Sequence, residues 1–120
     1  MSYTGGDRAE FGIIETINPK NDYGSSYEPE KYSCVAICEE AINDWYDELA
    51  DMKTYWHCMN RPNTNIARYG VTIIPPESLE QLIGAIRAKT KAKFAADALE
   101  VASLLETAAK LSKFVILYDV

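Results

Sequence analysis

Apolar residues recur along this chain with two different periods. Leu79, Leu82, Ile83 and Ile86 fall at i, i+3, i+4, i+7, one face of a helix. The short run Val71–Ile74 precedes them and is closed by Pro75 and Pro76. Pro75 drives Ile74 out of the α region, so a strand must stop there. Pro76 has its φ preset for a turn or a first helical position. Glu77 and Glu80 follow in the first turn, where the helix dipole favours negative charge. The spacing therefore predicts a strand, a sharp turn and a helix ending near Lys89.

The same reading extends in both directions. Residues 10–17 (EFGIIETI) predict a first strand, with Phe11, Ile13 and Ile17 on one side and Ile14 and Thr16 on the other. Asn18 and Pro19 end it, and residues 19–31 read as a long polar loop. A second apolar run, Tyr32–Ile37, predicts a strand that pairs antiparallel with the first. From Glu39 to about Met52, Ile42, Trp45, Tyr46 and Leu49 repeat the helical spacing. Residues 53–68 show no period and read as a long loop, placing Trp56 and its neighbouring asparagines outside the core. A last helix runs from about Lys93 to Ser112. Its stripe of Ala98, Val101, Ala102, Leu105, Ala108 and Ala109 permits close packing, and Glu106 and Lys110 are i, i+4 partners. Phe114–Tyr118 is apolar on both faces, as expected of a strand inside a sheet. The order β-β-α-β-α-α-β predicts a single α+β domain over residues 1–120. Its small mixed sheet has about four strands, with three helices mainly on one face and residues 1–8 as a tail.

Charge changes this picture most in one place. Glu39, Glu40, Asp44, Asp47, Glu48 and Asp51 lie within thirteen residues, with no Lys or Arg among them. The chain has 18 acids and 12 bases, so without these six the two signs balance. Glu40, Asp44, Asp47 and Asp51 recur at i, i+4, i+7, i+11, a single stripe opposite Ile42, Trp45 and Leu49. Like charges at this spacing repel by a few tenths of a kcal/mol per pair, roughly. One reading is a solvated face; the other is a docking ridge that steers a basic partner. The net charge of −6 argues against nucleic acid as that partner.

Other candidates are weaker. Cys34 and Cys38, four apart and expected on one face, could join His57 and Cys58 around zinc, but C-x3-C followed by adjacent His and Cys is poor ligand spacing. His57 beside Cys58 invites a Cys–His nucleophile, although adjacency in sequence does not create that geometry. The 55–65 loop mixes aromatic and amide side chains, the composition of a binding surface. Arg87, Lys89, Lys91 and Lys93 form a basic knuckle at the helix junction, two of them near a helix C-terminus where cations are favoured. The three cysteines and the absence of a secretory signal place reduced thiols in a cytoplasm. No apolar run approaches the ~20 residues a membrane span needs.

A small acidic cytoplasmic domain without a catalytic motif is similar in general style to bacterial immunity and inhibitor proteins that neutralise basic toxins. The resemblance implies a non-enzymatic domain, without metal or cofactor. The acidic stripe itself, together with Trp56, is what would dock a basic protein such as a toxin domain, through Glu40, Asp44, Asp47, Glu48, Asp51 and Trp56. The alternative is a small-molecule-binding protein or enzyme with its site at the Trp56/His57 loop.

Overall fold

The computed structural model describes residues 8–119. Phe114–Asp119 (β6) carries Val115 and Leu117 on one face and Ile116 and Tyr118 on the other, all buried. Such a strand needs cover on both faces and neighbours on both edges. It has them: Arg8–Ile14 (β1) pairs on one side, with Phe11 opposite Leu117, and Gly70–Ile74 (β5) on the other, with Thr72 opposite Leu117. Val35–Cys38 (β2), Lys53–Trp56 (β3) and Pro62–Thr64 (β4) extend the sheet to six strands, in the order β2-β1-β6-β5-β3-β4. The expected tail lies outside the described residues except for Arg8, which opens β1.

The α+β architecture is as expected, with β1 and β2 antiparallel, but the sheet is not mixed and has six strands rather than four. Every pairing is antiparallel. The reason lies in the connection from β5 to β6. One crossover helix would return the chain parallel, whereas two helices in succession restore its direction, so β6 runs against β5. The extra two strands come from residues 53–68, expected as loop. Tyr55 lies opposite Ile73 in β5 and Pro62 in β4, so this stretch is a hairpin on the sheet edge.

Ile42–Trp45 (α1), Leu79–Lys89 (α2) and Ala95–Lys110 (α3) cover one face. Ala9, Phe11, Ile37, Ile74, Val115 and Leu117 meet Trp45, Leu82, Val101 and Leu105 there in one cluster. The small-residue stripe of α3 is indeed the packed side: Ala98, Val101, Ala102, Leu105 and Ala108 are buried. Glu106 pairs with Arg87 of α2 rather than with Lys110. The other sheet face is covered by the 15–34 segment, whose Tyr23 and Tyr32 are buried against Val71, Ile73, Ile116 and Tyr118. The polar loop therefore contributes a second, smaller core.

Gly84 sits in mid-helix on the exposed side of α2, and a Cβ there would meet nothing within 4 Å. Gly84→Ala should therefore raise stability by about 0.5–1 kcal/mol, measured by urea denaturation, because it removes backbone entropy from the unfolded chain without a clash.

Candidate functional site

The acidic stretch is not one α-helical rod. It is a 3-10 turn (Glu39–Ala41), the four residues of α1, and a second 3-10 turn (Tyr46–Leu49). Its apolar edge is as expected: Ile42, Trp45 and Leu49 are fully buried. Trp45 Nε1 donates to Thr90 Oγ1 at 2.8 Å. This bond ties the segment to the α2–α3 junction and sets what its carboxylates meet.

They meet the basic knuckle. Glu48 pairs with Lys89 at 3.9 Å, Asp44 with Lys91 at 3.4 Å and Glu40 with Lys93 at 3.5 Å. The acids step by four residues along a helical segment, about 6 Å at 1.5 Å per residue. The lysines step by two residues through the junction, from the end of α2 past the extended Thr90 and Lys91 into the 3-10 turn Ala92–Phe94. The two rows run antiparallel. Lys91 N–H also donates to Asp44 Oδ2 at 3.1 Å, and the Asp44 side chain is only 6% exposed. Glu39 pairs with Arg68 at 3.9 Å, and Asp51 accepts from Gln81 Nε2 at 2.9 Å. Among the described residues, only Asp47 of the six acids has neither a basic nor a hydrogen-bonding partner. The ridge is thus largely neutralised within the chain, and the repulsion it would impose on its own helix is offset by the lysine row.

Trp56, the remaining expected site residue, leads to a different surface. It ends β3, and its Nε1 donates to the Tyr69 carbonyl at 3.1 Å, while the Arg61 guanidinium lies 5.2 Å from its ring. His57 follows with φ +68. In a regular strand its side chain would point away from that of Trp56. The left-handed conformation turns it back, and the two rings stack with centroids 4.0 Å apart. The backbone holds this: His57 N–H donates to Val71 O at 3.0 Å, and Tyr23 N–H donates to His57 O at 2.8 Å.

Two glycines make room for the imidazole. A Cβ on Gly24 would lie 2.3 Å from His57 Nδ1, and one on Gly70, whose φ is +86, would lie 2.5 Å from Nε2. Nε2 is buried without a hydrogen-bond partner. Above this clamp opens a cleft of about 460 Å³ bounded by Gly24–Tyr27, His57, Tyr69–Val71 and Tyr118. Tyr69 is 78% exposed and Tyr27 54%, two of the four large apolar side chains that are exposed among the described residues.

The field beside the cleft is negative. Tyr27 donates to Glu10, and that hydrogen bond, then burial and the Glu10 charge, push its hydroxyl up to about 12. Burial first, then Glu10 and Glu30, push the Cys34 thiol up to about 12. Tyr118 is raised chiefly by burial, with Cys34, Glu28 and Glu10 adding, while its contact with the Glu28 N–H, which donates to its hydroxyl at 3.2 Å, works the other way.

The zinc reading fails on geometry. Cys34 packs on the tyrosine side of the sheet and Cys38 on the helix side. Strand alternation does not carry the two cysteines to one face, because Cys34 follows a left-handed Ser33 and precedes β2. Cys58 Sγ donates to Asn60 Oδ1 at 2.8 Å. Among the described residues, no three His, Cys, Asp or Glu side chains converge as metal ligands, and no helix is long and apolar enough to cross a membrane.

Sequence reasoning singled out Trp56 and His57 but not Tyr27, Tyr69 or the glycine clamp that lie beside them. Gly24 and Gly70, each flanked by a tyrosine, were the available signal. Comparison of the chain with protein-family models, with curated proteins and with solved structures finds no match.

Proposed function

We propose that this chain is a non-enzymatic protein-recognition domain for a basic partner, centred on the Tyr27–Tyr69 cleft rather than on the 39–51 ridge. The observation that carries this reading is the pairing of two exposed tyrosines across one concave site. Aromatic rings at the centre of an interface supply most of its energy. The neighbouring Glu10, Glu28 and Glu30 charges favour a cation, and an Arg guanidinium or Lys ammonium over a tyrosine ring gains cation–π attraction of about 0.5–2 kcal/mol. A partner arginine entering beside Tyr69, with the Trp56–His57 stack as a rigid wall, fits that chemistry. An immunity-type inhibitor of a basic toxin is the most concrete form of the proposal. Asp47 and Asp51 would then act at longer range, on encounter rate rather than on the bound complex.

Three probes test it by amide chemical shift: an arginine-rich peptide, a glutamate-rich peptide of equal length, and N-acetylarginine amide. The arginine peptide should shift residues 24–27 and 69–71, and the glutamate peptide should not. Tyr69→Ala should weaken the arginine peptide by about tenfold or more, as a hot-spot loss does, without lowering the melting temperature. Asp47→Lys should change its affinity by less than about twofold at 0.15 M salt, where exposed charges beyond ~8 Å are screened. Shifts confined to residues 39–51, or none with either cationic probe, would overturn the reading. Saturation by N-acetylarginine amide with the same affinity as the peptide would replace a protein partner by a small cationic ligand.

A further inference from the structure

At the end of the sheet nearest α1, Asp119 closes β6 on the helix-covered face, with its side chain 3% exposed. Glu39 comes to it from the turn after β2, and Arg68 from the connection into β5. Arg68 is a four-way node. Its Nη1 donates to Asn43 Oδ1 at 2.7 Å, its Nη2 lies 3.9 Å from Glu39 and its Nε 3.8 Å from Asp119 Oδ2, and its guanidinium stands 5.5 Å from the Tyr46 ring. Arg68 Nε and Asp119 Oδ2 are buried and unpartnered, close to each other but beyond hydrogen-bonding distance. Three of these contacts (Glu39, Asn43, Tyr46) belong to the 39–49 segment. The node therefore fastens that segment to the sheet.

We propose that Glu39 and Asp119 share one proton and, with Arg68, form a pH-sensitive latch that holds the 39–49 segment against the end of the sheet. With the proton in place, the pair carries one negative charge and Arg68 balances it. Without it, the buried Asp119 carboxylate and the half-buried Glu39 carboxylate both face the Arg68 guanidinium, and their repulsion pushes Glu39 away from Asp119. Among the described residues, the charged groups that act on Asp119 are Glu39 from the turn and Arg68 from the β5 connection. From β1, Arg8 is opposite Cys38 in register and is itself engaged in an interaction. Asn43 from α1 and Tyr46 from the 3-10 turn after it face Arg68. Asp44 and Glu40 are engaged by Lys91 and Lys93.

Burial first, then the hydrogen bond to Glu39 and the Glu39 charge, raise the Asp119 carboxyl to about 7, with Arg68 opposing. The folded state thus holds a proton that the unfolded chain releases near pH 4. The stabilisation is fully present below that value and is lost as the pH rises through about 7.

Urea unfolding between pH 6 and 8.5 tests the latch. The folding equilibrium constant of the native chain should fall by about tenfold over that range, the change expected when one carboxyl with a folded pKa of about 7 titrates. Amide exchange in residues 39–49 should quicken with the same midpoint. Asp119→Asn should lose that tenfold change. A flat native profile, or an unchanged slope in the variant, overturns the proposal. Carbon-13 titration of the Asp119 carboxyl in the native chain needs no variant: a midpoint near 7 supports the shared proton, and one near 4 rejects it.

Discussion

Replacing Trp45 by alanine should cost about 3–5 kcal/mol, the range for emptying a buried tryptophan site. Trp45 is fully buried in a four-residue helix that has little stability of its own, since isolated helices this short do not hold in water. The indole does three things at once. It fills the core beside Phe11, with ring centroids 6.2 Å apart. It donates to Thr90 Oγ1, fixing the junction whose lysines meet the acid row. It also anchors the segment that carries Glu39 into the Arg68 node. Urea unfolding should show the full loss. Trp45→Phe should keep most of the stability, losing about 1–2 kcal/mol for the missing hydrogen bond and the smaller ring. If alanine and phenylalanine cost the same, the packing account of this segment is wrong.

Gly70→Ala should cost about 2–4 kcal/mol and close the cleft in the same step. Part of this, about 1 kcal/mol, is the left-handed backbone, which a Cβ disfavours. The rest is overpacking, since the added methyl would stand 2.5 Å from His57 Nε2 and 3.4 Å from Trp56 Nε1. His57 cannot move aside freely, because Gly24 bounds its other edge and the Trp56 ring its face. The two contributions separate in a double-mutant cycle. In a His57→Ala background, Gly70→Ala should cost only the backbone share, so the coupling between the two sites should be about 1–3 kcal/mol. Urea denaturation of the four proteins measures it, and zero coupling would remove the clamp from the account. Binding of the arginine-rich peptide should fall in Gly70→Ala even at temperatures where it remains folded.

Long periodic elements were legible in the sequence. Leu79, Leu82, Ile83 and Ile86 announced α2, the alanine stripe announced the packed side of α3, and Phe114–Tyr118 announced a strand with neighbours on both edges. The buried edge of the acidic segment was legible as well, but not its geometry, because a helical period does not distinguish α from alternating 3-10 turns over eleven residues. The hairpin of β3 and β4 was not, because Lys53–Trp56 and Pro62–Thr64 are too short to show alternation and their pairing is decided by partners far away in sequence. The lysines that neutralise the ridge lie 41 to 53 residues from their acids. The four-residue and two-residue steps were present in the sequence, yet only the α2–α3 junction brings them to one face. The cleft depends on a left-handed histidine, which no local pattern encodes.

The place of β6 has a consequence for how the chain comes into being. Strands β1 and β2 can pair as soon as they are made, and β3, β4 and β5 can form their own meander. Only β6 joins the two halves, and it is synthesised after both. At 5–20 residues per second the ribosome takes roughly 2–8 s to pass from β5 to β6. Through that interval the inner edges of β1 and β5 are unzipped, and an open edge is a template for pairing with other chains. The nascent protein is therefore most exposed to misassembly in the seconds before its central strand arrives.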